Sequence, residues 1–420
     1  MRIISLTILI LFLTMVVTSM ADEAAPAAQM WQAGAASVKI TPEQPLHMAG
    51  YASRKEPAEG TKQDLFGKAL AIQDSAGNSV VIITLDLIGV VAPLRTAVEM
   101  QIEAKYGIPP QSLLMNASHT HCGPAYARDD AQDYFDSLTR KLVNLVGDAL
   151  KNCEPASLAY SSARCSVAMN RRTPTDAGFR NHPNPNGPVD HTVPVLSVRD
   201  SEGELQSVIF GYACHNTTMG FRYWLGDYAG FAQQYFESDN SGVTALFMMG
   251  CGADQNPYPR SELKYAQMHG RSLATSVEAA LEYNQSKPLH QRQLSGNIRT
   301  AMGTVDLEFE PEDRPDFPYP VQVIRIGDDL MLVALGNEVV VDYSLRLKEE
   351  LFRADGPAVW VAGYSNVYDG YIPSRRVLLE GGYEARSRPW KPELEKRIIG
   401  KVHALVAETV KEAVKEAVAP

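Results

Sequence analysis

Two histidines separated by a single residue stand in a segment that favours a binding site. Residues Asn116–Pro124 read NASHTHCGP and follow the short apolar run Leu113–Met115. If the segment is extended, His119 and His121 point the same way, because side chains alternate along a strand. Two imidazoles on one face suit a zinc site, and loops that follow strands often carry function. A lone His-x-His also occurs without metal, so the prediction of a metal site depends on this setting.

Four later segments also place polar side chains directly after apolar runs. His215 follows Val208–Ala213, where a half-buried, hydrogen-bonded histidine is the ordinary role. The segment Gly250–Pro257 reads GCGADQNP; its glycines suit a backbone that approaches a substrate or supports an oxyanion, and it lacks the Lys-Ser/Thr of a phosphate loop. Glu338 stands at a strand-to-helix junction, where a first-turn carboxylate is common. Tyr364–Tyr371 holds three tyrosines that would ordinarily lie at the edge of a core.

The elements that must position these residues alternate between short β-branched runs and amphipathic stretches. Strands are predicted at 80–85, 113–115, 193–198, 208–213, 243–249, 321–326, 330–335 and 359–362. Helices are predicted over 92–106, 134–150, 261–283, 339–354 and 392–417. Two segments rich in Pro, Asn, Asp or Gly, Arg172–Pro188 and Glu310–Tyr319, are predicted to be surface loops. The pattern favours an α/β (mixed α+β) class, with a large mixed sheet and flanking helices in a single catalytic domain.

Composition excludes several classes of protein. The chain has 420 residues, 45% of them hydrophobic, which is too apolar for a disordered chain. Its net charge of −10 argues against a nucleic-acid or anionic-membrane binder, since both need a basic face. Five cysteines in so long a chain are not a disulfide scaffold. They leave three alternatives open: disulfides (Cys214 with Cys251, or Cys153 with Cys165), small buried apolar groups, or thiolate zinc ligation that would include Cys122.

The first residues have the pattern of a secretory signal. Met1 and Arg2 precede the mostly apolar run Ile3–Val17, and small residues lead to Ala21 before an acidic pair. The apolar run is short for a bilayer span. We therefore expect a signal peptide over residues 1–21, a secreted or periplasmic location, and no transmembrane segment after its removal.

Taken in chain order, these motifs resemble the catalytic domain of the neutral/alkaline (non-lysosomal) ceramidases, over about Gly34 to Gly400. The resemblance is carried by Ala36–Pro42 (ASVKITP), Met48–Tyr51 (MAGY), Ser118–Pro124, Asn170–Arg171, the strand before His215, and Asn366–Tyr371 (NVYDGY).

The resemblance implies one catalytic zinc ion per chain and assigns residues to it. The implied ligands are His119, His215, Glu338 and Tyr371. The residues implied to act on the substrate or water beside the metal are His121, Arg171 and Tyr383. Two imidazoles, a carboxylate and a phenol leave zinc one position for a water whose pKa the metal lowers to about 7.

Two departures from the family pattern bear on function. The family has a serine in a Gly-Asp-x-Ser-Pro-Asn loop, whereas the aligned residue here is Gln255, whose amide donates hydrogen bonds but is no nucleophile. A zinc-activated water is compatible with this change and a serine acyl-enzyme is not. The domain expected over residues 22–420 is a ceramidase-like zinc hydrolase without the C-terminal β-sandwich of the family.

The function predicted is zinc-dependent hydrolysis of an amide bond, ceramidase-like, converting N-acylsphingosine to a sphingoid base and a fatty acid. Two alternatives stay open: a zinc hydrolase of another N-acyl or ester substrate, such as an acyl sugar or a peptide-like amide, and a family member that binds metal or ligand without catalysis. The expected partner is a small-molecule or lipid amide substrate and no nucleic acid. The oligomeric state is left open.

Overall fold

The structure is a computed structural model that describes residues 31–282, 292–310 and 313–418. The predicted signal peptide, residues 1–21, lies outside the described residues and stays a prediction.

Twenty strands and eight helices make up the described part of the chain. The strands are β1 (Trp31–Lys39), β2 (Gly60–Thr61), β3 (Phe66–Gln73), β4 (Ser79–Leu85), β5 (Leu113–Ala117), β6 (Glu154–Arg164), β7 (Ala168–Thr175), β8 (Gly178–Asn184), β9 (Thr192–Asp200), β10 (Leu205–Tyr212), β11 (Tyr223–Trp224), β12 (Thr244–Met249), β13 (Gln255–Pro257), β14 (Arg292–Gln293), β15 (Ile298–Leu307), β16 (Phe317–Ile326), β17 (Leu330–Leu335), β18 (Glu338–Val339), β19 (Ala358–Ala362) and β20 (Tyr371–Ile372). The helices are α1 (Ala92–Tyr106), α2 (Gln132–Lys151), α3 (Asp227–Asp239), α4 (Leu263–Leu281), α5 (Val341–Leu351), α6 (Arg375–Glu380), α7 (Tyr383–Arg386) and α8 (Leu394–Val418).

The larger sheet has the strand order β12-β10-β9-β6-β1-β3-β4-β5, with β14 paired to β6. It is mixed: the pairs at its two ends, β10 with β12 and β4 with β5, are parallel, and the others are antiparallel. The second sheet has the order β15-β16-β17-β19, and its last pair is parallel.

The two sheets pack face to face and carry helices on their outer faces, giving four layers. Leu70 and Ile209 of the larger sheet share one buried cluster with Ile324 and Trp360 of the second sheet. On the outer face of the larger sheet, α1 and α2 cover one part of the sheet and α3 and α4 cover another. Helices α5 and α8 cover the outer face of the second sheet. The predicted fold class, a mixed α/β protein with a large mixed sheet and flanking helices, is confirmed.

Each predicted strand and helix overlaps an observed element of the same type. The predicted stop after α1 is confirmed, because Gly107 ends the helix in the left-handed conformation with φ 70°. Among the described residues, no helix is long and apolar enough to cross a membrane.

The surface loop predicted over Arg172–Pro188 is wrong. This segment contributes to a hairpin of β7 and β8, and β7 also pairs with β13. Strand β8 is the exposed edge of that small sheet, where proline and asparagine are tolerated because one side of the strand needs no ladder partner. The second predicted loop, Glu310–Tyr319, is partly outside the described residues, and β16 begins within it at Phe317.

The disulfide alternatives are also wrong. All five cysteines lie in the described part of the chain, and all are free thiols. Cys122, Cys214 and Cys251 are fully buried, which agrees with the alternative of small apolar groups.

Candidate metal centre

The four expected metal ligands follow the carboxyl ends of strands from both sheets, and one buried amide holds these ends together. The side-chain nitrogen of Asn116, at the end of β5, donates to the carbonyl of Gly363 (2.7 Å) and to that of Met249 (3.2 Å). Its oxygen accepts from the backbone N–H of Met249 (2.7 Å). Because Met249 ends β12 and Gly363 follows β19, Asn116 joins the two sheets at the edge where the site lies.

The three histidines converge at this edge. The Nε2 atom of His119 lies 3.1 Å from Nε2 of His121 and 3.2 Å from Nε2 of His215. The expectation that His119 and His121 converge is met, but not by an extended strand. His119 has φ 59°, a left-handed conformation that is rare for a residue with a side chain and that concentrates at functional sites.

Two oxygen donors come from the second half of the chain, on neighbouring strands. In the two-stranded ladder of β18 and β20, Glu338 is the register partner of Tyr371. Glu338 Oε2 lies 3.2 Å from His119 Nε2 and 3.3 Å from His215 Nε2, and the Tyr371 hydroxyl lies 3.4 Å from His215 Nε2. The four residues expected to hold zinc are therefore brought together, and His121 joins the same cluster.

The donor set fits a bound cation. His119 Nδ1 lies 2.6 Å from the carbonyl of Ile88, and His215 Nδ1 lies 2.9 Å from that of Gly252. Because a carbonyl only accepts, each imidazole carries its proton on Nδ1 and turns the lone pair of Nε2 into the cluster. Two lone pairs 3.2 Å apart, facing a buried carboxylate oxygen without a hydrogen-bond donor among the described residues, could be held together by a metal cation.

The surroundings of the cluster favour the protonation states that its side chains need in order to bind a metal ion. Burial, with Arg171 nearby, lowers the pKa of His215 to about 3, so the ring is neutral at pH 7. Burial alone would raise the pKa of Glu338, but positive charge placed at the histidines holds that pKa well below the usual range. Burial and the Glu338 charge raise the pKa of Tyr371 well above its usual value, while Arg171 opposes the shift. The cluster thus offers neutral imidazoles, a carboxylate and a phenol that hydrogen-bonds to an arginine.

Arg171 reaches the cluster from β7 and is held there by charge. Its Nη2 donates to the Tyr371 hydroxyl (3.1 Å), and its Nε donates to Glu384 (2.9 Å). Glu384 also accepts from Arg172 at 2.5 Å, so one carboxylate neutralises two buried guanidinium groups. Asn256 accepts from Arg171 on the other side, at 3.3 Å.

The other two predicted catalytic residues lie in different surroundings. The ring of Tyr383 is 5.3 Å from that of Tyr371, and the residue is 55% exposed, so it stands at the mouth of the site. Gln255 is fully buried, and its amide donates to the carbonyl of Cys251 and accepts from the backbone N–H of Asp190. Its backbone carbonyl accepts from the N–H of His215 (2.9 Å). The side chain of Gln255 thus supports the loop, and its predicted catalytic role stays a prediction.

Sequence reasoning missed three residues that support the site. Tyr368 donates to Glu338 Oε1 (3.1 Å) and so orients that carboxylate. Glu384 accepts a hydrogen bond from Arg171 and holds it in place. The only sequence signal for Glu384 is that it directly follows Tyr383. Gly50 has φ 94°, and a β-carbon there would overlap the ring of His121. The motif containing Gly50 was noticed, but nothing in the sequence linked it to His121.

The described site belongs to a mixed α/β protein whose buried histidines, carboxylate and phenol could hold a metal ion. Residues 31–250 match the profile of the family described as neutral/alkaline non-lysosomal ceramidase, N-terminal. The chain belongs to this family, which confirms the resemblance. Glu338, Tyr371, Glu384 and Tyr383 lie beyond the matched residues, so their place in the site rests on the geometry.

Named relatives are similar to this chain at low sequence identity. The chain is 25% identical over 235 residues to a neutral ceramidase of Pseudomonas aeruginosa, covering 50% of this chain and 34% of that protein. It is 23% identical over 237 residues to neutral ceramidase A of Dictyostelium discoideum, covering 51% and 33%. The chain therefore spans about a third of the length of the curated relatives it matches.

Solved structures show the shared fold. The crystal structure of the neutral ceramidase from Pseudomonas aeruginosa superposes with a TM-score of 0.73 at 20% identity, covering 87% of this chain and 72% of that one. A ceramidase complexed with C2 gives a TM-score of 0.74 at 19% identity, with 87% and 73% covered.

Proposed function

We propose that this protein is a zinc-dependent hydrolase of an N-acyl amide bond, with ceramide as the reference substrate. The observation that carries the proposal is the convergence of imidazole nitrogens with Glu338 and Tyr371, in which two rings are fixed through Nδ1 by backbone carbonyls. Membership of the ceramidase family supports the amide as the bond that is cleaved.

His119, His215, Glu338 and Tyr371 would hold the zinc ion. Bound there, zinc would supply a Lewis acid for the amide carbonyl and a water of lowered pKa. The Tyr368 hydroxyl keeps Glu338 in place through its other oxygen. Such outer hydrogen bonds orient metal ligands and raise their affinity.

His121 differs from the other two histidines in one respect. Its Nδ1 is buried and has no hydrogen-bond partner among the described residues, so no carbonyl fixes the position of its proton. His121 can therefore accept a proton from the attacking water at one ring nitrogen and pass a proton to the leaving amine, which returns the ring to its neutral form. Arg171 stabilises negative charge on the amide oxygen, because its guanidinium is held beside Tyr371 by Glu384. Tyr383 at the mouth orients the substrate.

The division of roles is tested with three single variants. We expect His119→Ala and His215→Ala to lose bound zinc, measured by mass spectrometry, together with ceramide hydrolysis. His121→Ala is expected to keep its zinc and lose activity. His403→Ala, which removes an exposed histidine paired with Glu350, is the control and should change neither. Full activity without detectable metal would overturn the proposal.

A further inference from the structure

The candidate site reaches solvent at two of its residues, His121, which is 8% exposed, and Tyr371, which is 7% exposed. Among the three histidines, His119 and His215 are 0% and 1% exposed, whereas His121 is 8% exposed. On the His121 side, the ring of Tyr51 packs edge to face against the His121 ring, with the ring centroids 4.6 Å apart. A substrate that enters on this side passes Tyr51.

Two arginines hold Tyr51, and neither has an acidic partner in the part of the chain that the structure describes. The guanidinium of Arg54 lies over the Tyr51 ring, 4.7 Å from its centroid, and donates to the backbone carbonyl of His121. Arg260 donates to the Tyr51 hydroxyl at 3.2 Å. No ion pair among the described residues involves Arg54 or Arg260. Asp227 is the acidic residue whose charge is felt at Tyr51, and its carboxylate oxygens accept from the backbone N–H groups of Met219 and Tyr228.

The segment that carries Arg260 runs along the rim of the site. It starts at Asn256, which accepts from Arg171 (3.3 Å), and Asn256 donates to the hydroxyl of Tyr258 (3.3 Å). Two residues later Arg260 reaches Tyr51, and the residue is half-buried. The segment thus connects the arginine inside the site to an arginine at its mouth.

Arg54 and Arg260 lack a carboxylate partner among the described residues, although the protein is acidic, with a net charge of −10. Other arginines near the site do form ion pairs: Arg171 pairs with Glu384, and Arg388 pairs with Asp369. A half-buried guanidinium without a carboxylate partner is a donor left over for a ligand, and guanidinium groups bind carboxylates and other oxyanions in a forked geometry.

We propose that Arg260, held by Tyr51, selects N-acyl amides whose polar end carries an anionic group. This inference rests on the proposed function and names the substrate class of the same site. The exposed ring of Tyr383 packs against Tyr371 at the other exposed residue of the site, so the site suits an amphiphile with an apolar end and an anionic end.

The test compares two amides of equal chain length, N-lauroylglycine with a carboxylate and N-lauroylethanolamine with a neutral hydroxyl. A charge-assisted hydrogen bond to one guanidinium predicts that kcat/KM favours the anionic amide by about tenfold or more. Arg260→Gln should bring the ratio close to one, and Arg260→Lys, which keeps the charge, should restore part of it. Arg199→Gln, which removes an arginine bound to the carbonyl of Gly203, is the control and should keep the wild-type ratio. N-lauroyltaurine shows whether a sulfonate replaces the carboxylate.

The outcomes separate the two proposals. Zinc-dependent cleavage of both amides at equal rates, or a ratio unchanged in Arg260→Gln, overturns the anion selection and leaves the proposed function standing. If neither amide is cleaved, the proposed function fails for these substrates. Binding of N-lauroylglycine, measured by calorimetry, then decides: weaker binding to Arg260→Gln than to the wild type supports the selection, and equal binding overturns it.

Discussion

Replacing Glu384 by glutamine should weaken both the fold and the site, because this carboxylate neutralises two buried arginines. The side chains of Glu384 and Arg172 are each 2% exposed and that of Arg171 is 4% exposed. A glutamine keeps one acceptor oxygen and turns an NH₂ group toward the other guanidinium. Arg172 retains Glu380 and a backbone carbonyl, whereas Arg171 retains only two longer contacts.

The expected loss of stability follows from the contacts that remain to the two arginines. Removing one partner of a buried ion pair costs about 3–5 kcal/mol. We expect the free energy of unfolding of Glu384→Gln to fall by about that amount, measured by urea denaturation. Because Arg171 also loses the group that aims it at Tyr371, kcat/KM should fall by about 100-fold, which is about 2.7 kcal/mol in the transition state.

A matched control separates the role of the site from a general loss of charge. Glu380→Gln removes a carboxylate that pairs with Arg172 and Arg376, but the Glu380 side chain is 21% exposed. Its removal should cost about 1 kcal/mol or less and leave activity within a fewfold of the wild type. If Glu384→Gln and Glu380→Gln unfold at the same urea concentration and have the same activity, the reasoning about the buried carboxylate is refuted.

Three further substitutions probe other contacts of the site. Tyr368→Phe removes the hydrogen bond to Glu338, and zinc affinity, measured against a competing chelator, should fall by about 10- to 100-fold. Gly50→Ala places a methyl group against the ring of His121 at φ 94°, so kcat/KM should fall by about 100-fold while zinc stays bound. Asp254→Asn should remove a pH dependence of stability. Burial, followed by the charge of Asp342, raises the pKa of Asp254 from 3.8 to about 7. Ionisation of Asp254 therefore destabilises the folded state by on the order of 4 kcal/mol as the pH rises from 4 to 7.

Each of these three has its own check. Tyr134→Phe removes a similar hydroxyl, which donates to the carbonyl of Ile40, and should not change zinc affinity. Gly77→Ala has a similar φ of 89° and nothing within 4 Å, so it shares the backbone strain without the overlap and should keep full activity. For Asp254, unfolding of wild type and variant is compared at pH 4 and pH 7. A difference in stability that is the same at both pH values would show that this carboxyl does not titrate on folding.

The sequence was sufficient for the elements that have strong periodicity and clear ends. Helix α1 matches its prediction because Gly107 and the following prolines leave no way to continue it. The hairpin of β7 and β8 could not be predicted, because it lies outside the main core and has few apolar residues to alternate.

In the candidate site, too, some residues can be predicted from local sequence patterns and others cannot. His119 and His121 were found from spacing, and Glu338 and Tyr371 only through the family resemblance. The link between these last two is their register in a two-residue ladder, which no local pattern encodes. Glu384 was missed because its importance comes from two arginines more than two hundred residues away.

The register of Glu338 with Tyr371 has a consequence for how the protein is made. The ribosome produces all three histidines long before the residues that supply the oxygen donors. A growing chain that ends shortly after His215 can offer nitrogen atoms alone, and the ladder of β18 and β20 cannot close until Tyr371 has been added. If the proposed zinc ion binds, full coordination would therefore follow the addition of Tyr371, and an ion taken up earlier would be held by histidines alone and exchange readily.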